Sequence, residues 1–363
     1  MTPRFHTLTV KDVRPETRDA VSIVFDVPAE LKDEYRFAPG QYLTLRADIG
    51  GEDIRRSYSI SSGLDDGEIR VAVKKVDSGR FSGFACGDLR PGDRLEVMTP
   101  SGRFTVPLDA EAERTYLAVA AGSGITPVLS LMKSILAREP KSRFILVDGN
   151  RTAADILYLT EIEDLKDRHL DRLTVFHVLS RESADVALLA GRIDAAKLST
   201  IVERACPFAG IDHAFLCGPQ GLVEEARACL EALGIPHERI HVELFTPAAD
   251  ARPVATRVSA HDGSAEAAAP VAATAEIRLD GRRYQVPIAQ GETVIDAARR
   301  AGLEAPYSCK GGMCCTCRAK VLEGAVEMDA NWSLEPWELE AGFVLTCQSH
   351  PTTAKLVVDY DAM

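Results

Sequence analysis

Four of the nine cysteines of this 363-residue chain crowd into nine residues, CKGGMCCTC, Cys309 to Cys317. The spacing is Cys309-x4-Cys314-x2-Cys317, followed after 29 residues by Cys347. Thiolates at these intervals are a ligand pattern of a [2Fe-2S] cluster, three from one tight loop and one from a later strand, FVLTCQ. Gly311 and Gly312 allow the positive φ such a loop can require to aim backbone N–H groups at sulfur. Cys315 is the surplus thiol, because taking it in place of Cys314 leaves intervals of x5 and x1. The competing reading is structural zinc, whose sites more often show two C-x2-C-like pairs, whereas Cys347 stands alone. Cys86, Cys206 and Cys229 read as ordinary thiols.

Other stretches suit nucleotide chemistry. RSYS, Arg56 to Ser59, sits in a β-like run. It combines a fork of donors for an anion, an aromatic face for a flat ring and a hydroxyl for a ring nitrogen. AAGSGITP, Ala120 to Pro127, is a glycine-rich strand-to-helix turn of the kind that suits a phosphate or a ring edge. Thr126 is the expected helix cap and Pro127 fits the first turn. HVLSRES places Ser180 and Arg181 at a strand end, and DGNR adds Arg151. A hydroxyl with two guanidinium groups suits a 2′-phosphate, although Asp148 beside them is a type that favours an unphosphorylated ribose.

These residues need elements to position them. Up to about Leu108 the chain is a series of short β-like runs punctuated by Gly and Pro, the pattern of a barrel or sandwich. After Glu113, apolar runs alternate with helical stretches, which means a parallel sheet covered by helices. One of these, LVEEARACLEALG, sets Leu222, Ala226, Cys229, Leu230 and Leu233 on one face and closes at Gly234. Thr246 to Ala273 is rich in Ala, Pro and small polar residues and reads as a linker. Beyond it, a hairpin leads to a helix starting near Thr293, with Asp296 completing a capping box and Gly302 ending the helix. The net charge of −12 argues against nucleic acid. The longest apolar stretch, Tyr116 to Met132, is interrupted by AAGSGITP, so neither a membrane span nor a signal core is expected and a cytoplasmic location is.

In this order the motifs resemble the ferredoxin-NADP reductase family with a plant-type ferredoxin fused at the C-terminus. The resemblance covers nearly everything outside the linker. It implies an antiparallel FAD-binding β-barrel over 1–110, a parallel-sheet α/β NADP-binding domain over 111–245, a linker over 246–274 and a β-grasp [2Fe-2S] ferredoxin domain over 275–363. By that resemblance Arg56 pairs with a flavin phosphate, Ser57 lies in the same motif, Tyr58 packs on the isoalloxazine and Ser59 hydrogen-bonds near N5. Gly79 and Ser82 of GRFS form the second phosphate contact, with Ser82 opening a short helix. Gly122, Gly124, Thr126 and Pro127 lie beside the nicotinamide nucleotide. LCGPQG resembles the family's C-G-P motif, so Cys217, Gly218 and Pro219 line the nicotinamide site, with Cys217 either near C4 or simply a small residue at a strand end. HVELF resembles the family's terminal E-x-F: Phe245 covers the flavin and Glu243 assists by hydrogen bonding. Electrons then run from NADPH, preferred over NADH by Ser180, Arg181 and Arg151, to FAD and on to the cluster, while no residue distinguishes FAD from FMN.

Reductase first and ferredoxin last closely resembles the reductase-subunit family of phenylacetyl-CoA epoxidase (ring-1,2-oxygenase) complexes. That implies the di-iron oxygenase subunits of a multicomponent phenylacetyl-CoA oxygenase as the partner. Paired E-x-x-H helices are missing from this sequence, so the di-iron centre belongs elsewhere. Similarly organised reductases serve other oxygenases and hybrid-cluster proteins, which is the alternative; a zinc-stabilised scaffold is the remote one. Six acids and no Lys or Arg between Val321 and Val344 suggest either an acidic docking face or a solvated one. Trp332 and Trp337 in that stretch read as core anchors or as docking aromatics, the core being favoured.

Overall fold

The computed structural model describes residues 3–184, 186–205, 210–245, 255–260 and 271–362. Cys206 and most of the expected linker lie outside the described residues. The chain divides into two compact units, Phe5–Ala248 and Ala249–Met363 with Met1–Arg4.

The first unit opens with an antiparallel sheet of β1 (Phe5–Thr17), β2 (Ala20–Asp26), β3 (Tyr42–Asp48), β4 (Asp53–Ser59), β5 (Ile69–Lys74) and β6 (Arg94–Met98), in the order β4-β3-β6-β1-β2-β5. Leu8, Val10, Ile23, Phe25, Leu43, Leu45, Val71 and Val97 alternate inward along these strands. Helix α1 (Arg80–Gly87) adds Phe81 and Ala85 to the same core.

A five-stranded parallel sheet follows: β7 (Thr115–Ala121), β8 (Arg143–Asn150), β9 (Leu173–Leu179), β10 (His213–Gly218) and β11 (Ile240–Leu244), in the order β11-β10-β7-β8-β9. Its strands read as near-continuous apolar runs because helices cover both faces. Helices α2 (Ile125–Arg138) and α3 (Leu159–Arg168) pack on one side, and α4 (Ala195–Ala205) and α5 (Gln220–Ala232) on the other. In α5 the core face is Val223, Ala226 and Leu230; Leu222 and Cys229 flank it, whereas Leu233 falls just beyond the last turn and is exposed. Gly234 does end this helix region, at φ +88°.

The second unit holds β12 (Thr256–Ser259), β13 (Ala273–Leu279), β14 (Arg282–Ile288), α6 (Val294–Arg300), β15 (Arg318–Glu323), β16 (Ala325–Met328), α7 (Pro336–Glu340), β17 (Phe343–Leu345), β18 (Ser349–Pro351) and β19 (Lys355–Asp359). Five strands form a mixed sheet, β14-β13-β19-β15-β17, and three a smaller one, β12-β16-β18. The β13–β14 hairpin turns on Asp280 and Gly281, at φ +52° and +70°, where an Asp-Gly pair tolerates both left-handed positions. Helix α6 is capped by Thr293 as expected, the Asp296 N–H donating to Thr293 Oγ1 at 3.3 Å, but the Asp296 carboxylate accepts from the Thr293 hydroxyl at 2.9 Å in place of the reciprocal bond of a capping box. The linker reading does not hold for Thr256–Ser259, which pair antiparallel with Ala325–Met328 and bury Val258. Among the described residues no helix is long and apolar enough to cross a membrane.

Candidate functional site

Strand β4 carries Arg56, Ser57, Tyr58 and Ser59 to the edge of the antiparallel sheet. Strand alternation puts Arg56 and Tyr58 on one face and Ser57 and Ser59 on the other. The Tyr58 ring is backed by Phe81 of α1, with centroids 5.6 Å apart. Ser57 Oγ lies 3.1 Å from Thr44 Oγ1. Arg56 is exposed, with Nη1 donating to the Arg55 carbonyl at 2.7 Å. An outward guanidinium and a braced aromatic ring on one face, with a hydroxyl about 10 Å along the edge strand on the other, fit a flavin lying along that edge with its anionic tail at the arginine end.

Ser59 is buried, and its hydroxyl donates to Glu243 Oε2 at 3.0 Å. Burial pushes the Glu243 carboxyl up to about 7, against the opposing pull of the Ser59 hydrogen bond. Strand register places Glu243, Cys217, Ala120, Asp148 and His177 side by side across all five parallel strands, near their carboxyl ends. Cys217 is fully buried; burial first, then the Glu243 charge, holds its thiol well above the ordinary range. It is therefore a neutral thiol and not a thiolate base or nucleophile. Phe245, one residue past β11, is 37 % exposed.

The two glycine motifs interlock. A Cβ on Gly124 would lie 2.0 Å from the Cys217 carbonyl oxygen, and one on Gly218 would lie 3.3 Å from the Ala121 backbone nitrogen. Only glycines let the turn after β7 and the end of β10 approach this closely. Pro219 is the residue before α5. Thr126 differs from expectation: Gly124 precedes α2, while Thr126 sits in the first turn with Pro127 and donates to Ser123 O at 2.9 Å. Gly122, at φ +56°, makes the turn itself. Ser82 also differs. It lies within the first turn of α1, after Gly79 and Arg80, and its hydroxyl accepts from Val76 N–H and donates to Gly79 O. A Cβ on Gly79 would clash with that hydroxyl at 2.4 Å, so Gly79 and Ser82 close the turn together.

At the outer end of β8 and β9, the Ser180 and Arg181 N–H groups donate to the Asn150 and Arg151 carbonyls at 2.9 and 2.8 Å. This pairing sets Arg151, Ser180 and Arg181 on one lip. Beneath it the fully buried Asp148 accepts from Asn150 Nδ2 at 2.8 Å and lies 3.3 Å from His177 Nδ1. Burial raises its carboxyl pKa. Asp148 thus points into the sheet's own packing and not at a ribose.

Sequence reasoning missed the contacts that fix the antiparallel sheet against the parallel one. Tyr158, at φ +60°, sets its hydroxyl 2.8 Å from Ser61 Oγ and its ring under Arg70. Ser130 donates to Ser62 O at 2.7 Å, and Arg70 pairs with Glu161 at 2.7 Å. Partners 68 to 97 residues apart carry no local signal.

In the second unit the four expected ligands fall into two couples. Cys309 and Cys314 share a hydrogen bond, as do Cys317 and Cys347. Donation from Cys314, then from the Gly311, Met313 and Cys314 N–H groups, lowers Cys309 to about 5. Cys347 is lowered too, first by Cys317, while Cys314 and Cys317 are raised. Among the described residues no three such side chains converge on one point. Two such couples would suit a [2Fe-2S] cluster, with two cysteines to each iron. The loop's positive φ values fall at Lys310, Gly312 and Cys315, not at Gly311. Cys347 lies in the turn after β17 and not within the strand. Cys315 Sγ contacts Ser333 Oγ at 3.0 Å, which sets it outside the couples.

Three domain families match: the oxidoreductase FAD-binding domain over residues 7–106, the oxidoreductase NAD-binding domain over 118–228 and the 2Fe-2S iron-sulfur cluster binding domain over 277–352. The chain is 46 % identical to one of the subunits of the 1,2-phenylacetyl-CoA epoxidase of Escherichia coli, over 99 % of this chain and 98 % of that one. It is 37 % identical to the 3-ketosteroid-9-alpha-monooxygenase ferredoxin reductase component of Rhodococcus rhodochrous, over 97 % and 96 %. Phthalate dioxygenase reductase shares the fold, with a TM-score of 0.57 at 23 % identity and 98 % of both chains covered. The chain belongs to this family of oxygenase reductases, oxidoreductases that join an FAD-binding domain, an NAD-binding domain and a [2Fe-2S] domain in one polypeptide.

Proposed function

We propose that this chain delivers electrons from NADPH, by way of FAD and a [2Fe-2S] cluster, to the di-iron oxygenase subunits of a cytoplasmic phenylacetyl-CoA 1,2-epoxidase complex. The flavin barrel occupies 1–110, the nicotinamide domain 111–245 and the cluster domain 275–363. The observation that carries the reading is end-to-end similarity to a component of such an epoxidase, together with cysteines at plant-type spacing in a matched 2Fe-2S domain.

When bound, the flavin takes an electron pair from the nicotinamide and passes electrons on singly to the one-electron cluster. The chain's own residues position these groups. Arg56 holds the flavin's phosphate, Tyr58 and Phe245 cover its ring, and the Ser59 hydroxyl, oriented by Glu243, stands at the ring edge. The turn built on Gly122 and Gly124 and the Cys217–Pro219 strand end form the crevice for the nicotinamide.

The test is NADPH oxidation by the purified chain mixed with phenylacetyl-CoA oxygenase subunits, with and without phenylacetyl-CoA. Stimulation by the CoA ester with oxygenated product is expected. Electron flow to an artificial acceptor but none to these subunits would move the chain to another oxygenase.

Preference for NADPH rests on the lip of Arg151, Ser180 and Arg181. Arg181→Ala is expected to raise KM for NADPH about tenfold while leaving KM for NADH within about twofold, the loss of one charge-assisted contact to the 2′-phosphate. Equal effects on both nucleotides would remove Arg181 from phosphate recognition.

A further inference from the structure

An electron leaves most readily through the surface that covers the cluster loop. Residues 330–340 lie against that loop and are tied to it at both ends. The Trp332 N–H donates to Gly312 O at 3.1 Å, and Ser333 Oγ donates to the same carbonyl at 3.3 Å. A Cβ on Gly312 would meet Ala330 O at 2.8 Å. At the other end, Arg318, next to ligand Cys317, pairs with the buried Glu338 of α7 at 2.8 Å and lies over the Phe343 ring.

From this fixed segment projects Trp337. Contrary to the sequence expectation of a core residue, it is 58 % exposed, more than any other Trp or Phe among the described residues. Its mount is rigid: Pro336 opens α7, and Glu335 and Glu338 form a reciprocal capping box. A large aromatic held this way loses little conformational freedom when a partner covers it, which is the character of an interface anchor.

The charges beside it specify the partner. Glu335–Glu340 contains three acids; Glu338 pairs with Arg318, and the Glu335 carboxylate also caps α7. Elsewhere on the stretch, Glu323 pairs with Lys355, Asp329 hydrogen-bonds His350 and Glu327 lies on β16, so acids continue along the stretch that ends in α7. Chain net charge is −12. A docking surface there is an aromatic knob with a negative rim.

We propose that Trp337, flanked by Glu335 and Glu340, anchors the cluster domain on a basic, aromatic-accepting hollow of the oxygenase component that takes the electron. This rests on the function proposed above and adds the contact surface.

The test uses the full holoprotein and its Trp337→Ala and Trp337→Phe variants with purified phenylacetyl-CoA oxygenase subunits. Trp337→Ala is expected to raise the half-saturating oxygenase concentration about tenfold or more, with Trp337→Phe intermediate, as for loss of an interface anchor. Single-turnover rates from NADPH to flavin and from flavin to cluster, and the visible spectrum, should match wild type. An unchanged half-saturation for Trp337→Ala overturns the docking proposal alone. Slowed flavin-to-cluster transfer also overturns it, assigning Trp337 to the chain's own flavin unit, and an altered cluster spectrum makes Trp337 a strut of the cluster loop. A wild type that reduces an artificial acceptor but not these subunits overturns both this partner and the functional reading.

Discussion

Alanine at Cys309, Cys314, Cys317 or Cys347 is expected to abolish the visible absorbance of the [2Fe-2S] cluster and to slow electron delivery to the oxygenase by about 100-fold or more, since losing one thiolate costs the cluster and the order of its loop. Reduction of ferricyanide by NADPH, which needs only the first unit's groups, should persist. Cys315→Ala separates ligand from neighbour. It loses a contact to Ser333 worth about 1 kcal/mol. It should keep the cluster spectrum, and delivery within about fivefold of wild type, the scale of a bond of about 1 kcal/mol. Optical spectra and iron analysis of the five variants decide the matter. A cluster-free Cys315→Ala with an intact Cys314→Ala would reverse the assignment.

Glu243 should make flavin reduction depend on pH near neutrality. Its carboxyl is raised to about 7, first by burial. Below that value it is neutral; above it, a negative charge stands beside the Ser59 hydroxyl, where the proposed flavin site would receive a hydride. The single-turnover rate of flavin reduction is therefore expected to fall as pH rises through 7, and Glu243→Gln should flatten the profile. Ser59→Ala should slow the step about 10- to 100-fold, the range for losing a positioned proton-donating group. Stability carries the same sign. An acid whose folded pKa is raised costs nothing below its ordinary value of 4.5, and its cost grows between 4.5 and about 7 and is complete above that. Glu243→Gln should therefore stabilise the protein by about 1–3 kcal/mol at pH 8 relative to its effect at pH 5. Thermal melting of both proteins at the two pH values measures it. Parallel shifts at both values would show that Glu243 is not held protonated.

Much of this architecture is written in local pattern. The ligand intervals around Cys309–Cys317 survive any packing because a cluster sets the spacing of the loop that wraps it. Inward alternation along β1 to β6, the Asp280–Gly281 turn and the Thr293 cap each depend on residues a few positions apart, so their signals lie within a short window. The strand-to-helix turn at Gly122–Gly124 was legible as a turn, but its cap was not, since Gly124 holds that place to let the backbone approach Cys217.

Contacts between distant segments had no such window. Ser59 and Glu243 are 184 residues apart and meet only because one sheet is packed against the edge of another. The row from Glu243 to His177 exists only once five parallel strands adopt one register. Asp148 looked like a nucleotide contact until the sheet buried it. Thr256–Ser259 has too little apolar pattern to announce a strand and becomes one by borrowing the open edge of β16. Trp337 shows the same limit in reverse. Tryptophan is usually read as core, and its exposure here follows from a helix whose other side is taken up by the Glu338–Arg318 pair. Side-chain type and spacing thus set which cofactors the chain can hold, while strand register and burial set which groups meet them and with what charge.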